Sequence, residues 1–257
     1  METVPHHGRE TAYEVIDCGG NGLPVCWIHG SGGTADIWRA QEQLADRYPL
    51  VMLDLSGHGD SSDIDANTGY ATLSAYADDV LAVVEETDAR VLVGSSLGGA
   101  VVLHILLERD FDPEAVVLTG TGARLGVLDD LLVWLEQDFE RALAFLHAPG
   151  RLFADPDPSL RERSMAMMET TGQAVMRRDF RTCHRFDVRD RLEDIDIPTL
   201  AICGENDQLT PPWYHEFLAD EIDGASWVAL EDSAHLVMLE QPDTFNELVD
   251  DFLAETI

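Results

Sequence analysis

The segment from Val91 to Ala100 reads Val-Leu-Val-Gly-Ser-Ser-Leu-Gly-Gly-Ala. It begins as an apolar run that is typical of a buried parallel strand, and helical spacing of apolar residues starts at Ser96 and continues to Arg109. A strand and a helix therefore meet at a serine with almost no loop between them. Such a tight turn requires small residues two positions before and two positions after its apex, and Gly94 and Gly98 meet this requirement.

The spacing of these glycines selects Ser96 as the apex. If Ser95 were at the apex, the flanking residues would be Val93 and Leu97, which are too bulky for the turn. The turn lifts the Ser96 hydroxyl clear of the sheet and directs the first free amides of the helix, beginning with Leu97, toward any group that the hydroxyl attacks. An ordinary glycine-rich strand-to-helix turn has the same pattern, so a catalytic interpretation requires partners elsewhere in the chain.

The composition indicates one α/β domain with an insertion, because 257 residues with 45% hydrophobic content can bury a sizeable core. The four cysteines lack C-x-x-C spacing, so buried thiols are favoured over disulfides or metal ligands. The N-terminus has no basic region followed by an apolar one, and no apolar run reaches transmembrane length. These features predict a soluble, cytoplasmic protein with no membrane partner.

The charge balance is strongly acidic. There are 49 acidic residues against 16 basic ones, all 16 are arginine, and the formal net charge is -33. Such a charge repels phosphate, so nucleic acids and anionic membrane surfaces are excluded as partners. The absence of lysine, together with 29 aspartates and 20 glutamates, resembles the composition of proteins from halophiles that accumulate salt.

The acidic composition predicts that stability increases with salt. Repulsion among the carboxylates weakens the compact state in dilute buffer, and at 1 M salt the Debye length falls to roughly 3 Å, which screens most of this repulsion. We expect the melting temperature to be higher in molar KCl than in dilute buffer. Equal melting temperatures in the two solutions would contradict the halophilic interpretation.

Strands and helices alternate along most of the chain, which predicts a mostly parallel central sheet flanked by helices. Thr11 to Asp17 is expected to be an early antiparallel strand. The buried strands that follow are predicted at 25–28, 50–55, 91–94, 116–119, 198–203 and 227–230. Because ligands of such sheets collect at the carboxyl ends of the strands, the loops that follow these strands are the candidate site.

Residues 123–189 differ from the rest of the chain and predict an all-helical cap, with the sheet domain formed by residues 1–122 and 190–257. A leucine and phenylalanine stripe from Leu128 to Leu146 has helical spacing, and Ser159-x-x-Glu162 has the pattern of a capping box that opens a second helix. The cap holds four of the seven methionines. They can line a pocket or simply pack the cap against the core.

A serine nucleophile needs a base, which is usually histidine, and an acid that orients the base. Of the nine histidines, only His235 follows a late strand in a polar loop; His6 and His7 are expected in a flexible tail, and His58 in a tight turn fixed by glycines rather than by a partner acid. Asp207 follows the preceding strand and is the candidate acid. Its nearby rivals are Glu205 and Asp232, while the loop after Thr119 offers no carboxylate.

The order Ser96, Asp207, His235 is the order of the triad in α/β-hydrolases. The chain resembles this superfamily along nearly its whole length, specifically its small esterases, lysophospholipases and enol-lactonases with a helical cap. The matching motifs are His29-Gly30-Ser31-Gly32-Gly33, Asp54-Leu55-Ser56-Gly57-His58-Gly59, Gly94-Ser95-Ser96-Leu97-Gly98, Gly204-Glu205-Asn206-Asp207 with Thr210-Pro211, and His235 with Glu240-Gln241-Pro242. The resemblance implies an α/β-hydrolase fold and an oxyanion hole formed by the backbone amides of Leu97 and Ser31.

These features predict a serine hydrolase that cleaves a small-molecule carboxylic ester with a small or medium apolar acyl group, without a metal or organic cofactor. The same triad could instead open an enol-lactone, hydrolyse a carbon-carbon bond or support cofactor-free peroxidation. A third hypothesis is a ligand sensor that has kept a slow hydrolase site. Serine at position 96 argues against epoxide hydrolases and haloalkane dehalogenases, whose members carry aspartate there.

Overall fold

The computed structural model describes residues 1–257 and contains one eight-stranded sheet. The strands lie in the order β1-β2-β4-β3-β5-β6-β7-β8, and only the pairs β1–β2 and β2–β4 are antiparallel. Their bounds are β1 Glu2–His6, β2 Arg9–Ile16, β3 Val25–Ile28, β4 Leu50–Leu53, β5 Val91–Ser95, β6 Ala115–Thr119, β7 Thr199–Gly204 and β8 Ser226–Leu230. The predicted mostly parallel sheet is confirmed.

Helices cover both faces of the sheet. Successive strand residues point to opposite faces, so Val25 and Trp27 belong to one buried apolar cluster while Cys26 and Ile28 belong to the other. The helices are a 3₁₀ helix Ala35–Asp46, α1 Tyr70–Thr87, α2 Leu97–Glu108, α3 Asp129–Gln137, α4 Phe139–Leu146, α5 Pro158–Thr171, α6 Gln173–Arg185, α7 Pro212–Glu221, α8 Val237–Glu240 and α9 Pro242–Thr256, with a single 3₁₀ turn at Leu192–Asp194. None of them is long and apolar enough to cross a membrane.

The predicted flexible tail at the N-terminus is wrong. Residues 2–6 form β1, which pairs with β2 at the edge of the sheet. His6 in this strand lies 2.7 Å from the Thr11 hydroxyl and 3.3 Å from the buried carboxylate of Asp79. The residues of β1 are mostly polar and mostly exposed, so the sequence has no apolar pattern that would predict a strand there. The strand is stabilised by its pairing with β2 instead.

Residues 123–189 lie between β6 and β7 and contain α3 to α6 and one isolated bridge, from Arg124 to Asp187. We call them the inserted segment. The stripe predicted as one helix is two, because the backbone breaks at Asp138, whose side chain caps α4. The predicted capping box is wrong as well: Asp157 caps α5 and accepts the Ser159 amide. The domain bounds at residues 122 and 190 stay a prediction.

The cysteines are all free, and three of them are buried. Cys18 is exposed, in the turn that follows β2, so the expectation of a buried thiol does not hold there. Burial raises the pKa of the Cys183 thiol to about 12 and that of Cys203 to about 12. The thiolate, the reactive form, is therefore scarce at these two positions.

Candidate active site

Ser96 lies at the junction of β5 and α2 with a φ of 53°, a conformation that non-glycine residues rarely adopt. The two flanking glycines permit it. A Cβ at Gly94 would lie 2.6 Å from the carbonyl oxygen of Gly98, and a Cβ at Gly98 would overlap the carbonyl of Ile28 in the neighbouring strand. The turn therefore requires the absence of a side chain at both positions, as the spacing predicts.

Further contacts hold the turn in place. The Ser96 amide donates to the Thr119 carbonyl at 2.9 Å, and the Thr121 hydroxyl donates to the Ser96 carbonyl at 2.8 Å. The Thr121 amide in turn donates to His215 Nε2 at 3.1 Å. Burial lowers the pKa of His215 to about 4, so this ring is neutral and can accept. Neither Thr121 nor His215 was singled out from the sequence, because their roles depend on β6 and α7 meeting behind the turn.

The neighbouring Ser95 has a different environment. It is the last residue of β5, its side chain is fully buried, and its hydroxyl has no hydrogen-bond partner. Ser96 is partly accessible and lines the large cavity described below. Of the two adjacent serines, only Ser96 reaches that cavity.

Asp207 and His235 lie in the loops after β7 and β8 and are brought together by the parallel pairing of these strands. The distance from Asp207 Oδ2 to His235 Nδ1 is 2.9 Å. The Thr210 hydroxyl donates to the same Oδ2 at 2.7 Å, while Oδ1 accepts the amides of Leu209 and Thr210 at 2.7 Å and 3.0 Å. Burial of this carboxyl opposes ionisation, but the facing His235 and these donors outweigh it and lower the Asp207 pKa.

The two rival acids do not contact the histidine. Glu205 and Asp232 are both exposed, and neither side chain has a hydrogen bond to His235. A different carboxylate braces the histidine loop: Glu240 accepts the Ala234 amide at 2.7 Å and the Ala154 amide at 2.8 Å. In the sequence Glu240 is only part of a motif. Its contact with Ala154 depends on the inserted segment lying beside the histidine loop, which the sequence does not show.

Two amides lie where the resemblance implies an oxyanion hole. Leu97 is the first residue of α2, so no carbonyl within that helix accepts its amide. The Ser31 amide, in the loop after β3, donates to no other group. A Cβ at Gly30 would lie 3.0 Å from Ser96 Cβ, so this loop closely approaches the turn at Ser96. Both amides are free to bind a ligand oxygen.

His29 fixes this loop. Its Nε2 accepts the Leu55 amide at 3.0 Å, so its Nδ1 carries the proton and donates to the Gly30 carbonyl at 2.8 Å. Burial, with a smaller contribution from the adjacent His58, lowers the His29 pKa well below its usual value. The neutral ring therefore connects the loops after β3 and β4 through its two hydrogen bonds.

His58 is fully buried, and one part of its prediction is wrong. It lies in the turn after β4, as expected, but it also has a partner acid, since its Nε2 lies 3.0 Å from Asp179 Oδ2 of the inserted segment. Tyr76 donates to the other oxygen of Asp179 at 2.6 Å. The sequence concealed this pair because Asp179 is 121 residues away on α6. His58 does not line the cavity that contains Ser96.

Ser96 and His235 line one cavity of about 1830 Å³ at the carboxyl edge of the sheet, together with Ser31 of the glycine loop. The inserted segment forms much of its wall, including Met167 and Met168. Met167 and Met168 also pack against the apolar core, which contains Met176 as well, so two of the four methionines both line the cavity and contact the core. Ser96 Oγ makes no direct hydrogen bond to His235. In hydrolases without a bound substrate the distance between the serine oxygen and the histidine is often long, and it shortens when the substrate binds.

The chain resembles several hydrolases along its whole length. RutD of Azorhizobium caulinodans, whose name describes a carbamate hydrolase, is 29% identical, and the match covers 97% of both chains. A pimeloyl-[acyl-carrier protein] methyl ester esterase of Neisseria meningitidis is 28% identical over 89% of this chain and 93% of its own. A thermophilic esterase of known structure is 30% identical, covers 99% of this chain and 97% of its own, and superimposes with a TM-score of 0.87.

The model of the alpha/beta hydrolase family matches residues 27–248, from β3 to the last helix. This range includes the tight turn at Ser96 and the loops after β7 and β8. The strand order and the relatives agree with this match. The chain therefore belongs to the alpha/beta hydrolase family.

Proposed function

We propose that this protein is a serine hydrolase that cleaves carboxylic esters of small or medium apolar acyl groups through an acyl-enzyme. One observation carries the proposal: His235, which is hydrogen-bonded to the buried Asp207, lines the same cavity as Ser96, and Ser96 has the strained conformation that is typical of a nucleophile turn. The esterases among the relatives support the same reaction class. The proposed site residues are Ser96, Asp207 and His235, with the amides of Leu97 and Ser31.

In the proposed mechanism His235 Nε2 removes the Ser96 proton while Ser96 Oγ attacks the ester carbonyl carbon. The carbonyl oxygen becomes an oxyanion, which accepts hydrogen bonds from the amides of Leu97 and Ser31. Collapse of this intermediate expels the alcohol, which receives the proton from His235. Water then attacks the acyl-enzyme with His235 again as base, and the carboxylic acid leaves Ser96.

Asp207 orients the base. Its Oδ2 accepts a hydrogen bond from the N–H at His235 Nδ1, which leaves Nε2 unprotonated and free to take the serine proton. Its Oδ1 is held by two backbone amides, and Thr210 binds Oδ2 from the side. The carboxylate therefore has little freedom to rotate, and its lowered pKa keeps it ionised at neutral pH.

We further propose that residues 123–189 act as a cap that shapes the acyl pocket. The apolar side chains that this segment presents to the cavity include Phe145, Leu160, Met167 and Phe180. Unbranched thioether side chains adapt to substrates of different shape, which favours a range of apolar acyl groups over a single one. An ester with an apolar acyl chain would bury that chain against this wall.

The proposal is tested with a series of p-nitrophenyl esters of increasing acyl length in molar KCl, together with labelling by a fluorophosphonate. We expect hydrolysis of the short and medium esters and covalent labelling at Ser96, located by peptide mass spectrometry. The Ser95→Ala variant is the matched control, since Ser95 is buried without a hydrogen-bond partner, and it should be labelled like the natural protein.

Other outcomes point to other reactions. Labelling of Ser96 without turnover of any ester would contradict the esterase and favour hydrolysis of a lactone, a carbamate or a carbon-carbon bond, or the slow sensor. A panel of these substrates separates the enzymes from a sensor, which would bind a ligand stoichiometrically without releasing product. Failure of the fluorophosphonate to label Ser96 would contradict the serine mechanism itself.

A further inference from the structure

Arg151 has an unusual environment for an arginine of this chain. Eleven of the 16 arginines form ion pairs with carboxylates, but Arg151 forms none. Its Nε is buried and has no hydrogen-bond partner. Of the five arginines without an ion pair, Arg151 is the only one that is not exposed, so its half-buried charge is not compensated by a carboxylate of the chain.

The backbone of Arg151 is attached to the catalytic loops. Its carbonyl accepts the His235 amide at 3.2 Å, and the Gly150 carbonyl accepts the Gln208 amide at 2.9 Å. The residue therefore lies between the loop that carries the proposed acid and the loop that carries the proposed base.

Arg151 lines the cavity that contains Ser96. Arg151 Nη1 donates to Gln208 Oε1 at 3.0 Å, and its guanidinium carbon lies 4.4 Å from the centre of the Phe145 ring. The amide on one side and the ring on the other fix the plane of the guanidinium. Such an orientation reduces the entropy that is lost when a guanidinium binds an anion.

Most other charges on the cavity wall are already compensated. Arg39 is paired with acidic residues, the buried Asp54 accepts the amides of Ala35 and Asp60, and Asp157 caps α5. Asp60 is exposed, its backbone amide donates to Asp54, and it forms no ion pair with Arg151. Arg163 also lines the cavity without an ion pair, but it is exposed and donates to the Ser159 hydroxyl.

We propose that Arg151 is a specificity-determining residue that binds an anionic group of the substrate. The preferred substrates are then esters that carry, besides the ester group, an anionic group such as a carboxylate. The inference rests on the proposed esterase activity of the same cavity. A planar guanidinium binds a carboxylate through two parallel N–H donors, and the two terminal nitrogens of Arg151 can make this contact, because Nη2 donates to no group of the chain and Nη1 donates only to Gln208. The acyl-enzyme chemistry is unchanged, and Arg151 takes no part in bond breaking.

The test uses two matched pairs of esters, in which a carboxylate is replaced by the neutral amide of the same shape. Monomethyl glutarate and methyl 4-carbamoylbutanoate place the group on the acyl side, and butyryl glycolate and butyryl glycolamide place it on the alcohol side. Molar KCl screens the long-range repulsion between the acidic protein and an anion. We expect Arg151→Gln to lower kcat/KM for the anionic member of at least one pair by about 10- to 100-fold and to leave its neutral partner nearly unchanged.

The control is Arg161→Gln, an exposed arginine of the same segment that does not line the cavity, and it should change neither ester. Arg151→Met, which keeps a long unbranched side chain beside Phe145 without the charge, should reproduce the effect of Arg151→Gln and separates loss of charge from loss of packing. An equal change on anionic and neutral esters, or no change on either, would overturn the proposal.

A binding measurement keeps the proposal testable if none of these esters is hydrolysed. In that case the esterase assignment is what fails for these substrates. Isothermal titration of glutarate and of glutaramide into the natural protein and into Arg151→Gln then decides the inference. The inference is supported if the natural protein binds glutarate more tightly than glutaramide and if Arg151→Gln weakens the affinity for glutarate by about 10-fold or more. Equal affinity of both proteins for glutarate would overturn it.

Discussion

Ser96→Ala is expected to lower kcat on the best ester by about 10⁴- to 10⁶-fold, since the variant lacks the atom that forms the acyl-enzyme. The remaining rate would come from binding and from the two oxyanion amides, which do not depend on the hydroxyl. Steady-state kinetics in molar KCl measures the loss. Circular dichroism and melting temperature should match those of the natural protein.

Ser95→Ala is the control for this experiment, because it removes the same atom one residue away. The Ser95 hydroxyl is buried and has no hydrogen-bond partner, so its removal leaves no polar group unsatisfied. Turnover should stay near that of the natural protein. A Ser96→Ala variant that keeps most of its activity, or a Ser95→Ala variant that loses it, would show that the nucleophile has been misassigned.

Asp207→Asn is expected to lower kcat by about 10⁴-fold at neutral pH. In the structure Asp207 Oδ1 accepts two backbone amides, so an asparagine would keep its oxygen there and turn its NH₂ toward His235 Nδ1. Nδ1 would then have to accept a hydrogen bond, and the ring proton would move to Nε2. In that tautomer His235 can no longer remove the proton from Ser96.

The controls for this variant are Glu205→Gln and Asp232→Asn, which change the two exposed rival carboxylates in the same way. Each should leave kcat close to that of the natural protein. A loss in either control comparable to that in Asp207→Asn would assign the acid to a different loop. Retention of most activity in Asp207→Asn would contradict the orienting role proposed for its carboxylate.

Much of the sheet could be predicted from local pattern, because parallel strands buried on both faces are nearly continuous apolar runs. Val91 to Gly94 and Thr199 to Cys203 are such runs. The first strand could not be predicted in this way. Glu2–His6 is an edge strand with exposed and half-buried residues, and its stability derives from pairing with β2 and from contacts of His6.

The tight turn at Ser96 and the positions of Asp207 and His235 were also accessible from the sequence, since each of these residues lies in a loop directly after a predicted strand. The supporting contacts were not. Thr121, Glu240 and Asp179 act on loops or helices that are distant in the chain, and no periodicity or spacing connects them to their partners. The helix start at Asp157 was missed for a local reason, because a proline at the first helical position with an aspartate before it competes with the capping box at Ser159.

The hydrogen bonds between the inserted segment and the histidine loop restrict how a substrate can enter. The amides of His235 and Leu236 donate to the carbonyls of Arg151 and Leu152, so lifting the whole segment as a rigid lid would break both bonds and remove two backbone anchors of the loop that carries the proposed base. Leu128 of the segment and Trp213 of α7 are both exposed and line the cavity, so they lie where the cavity meets the solvent. A substrate that enters beside these two residues leaves both backbone bonds intact, and the loop of the proposed base keeps its anchors.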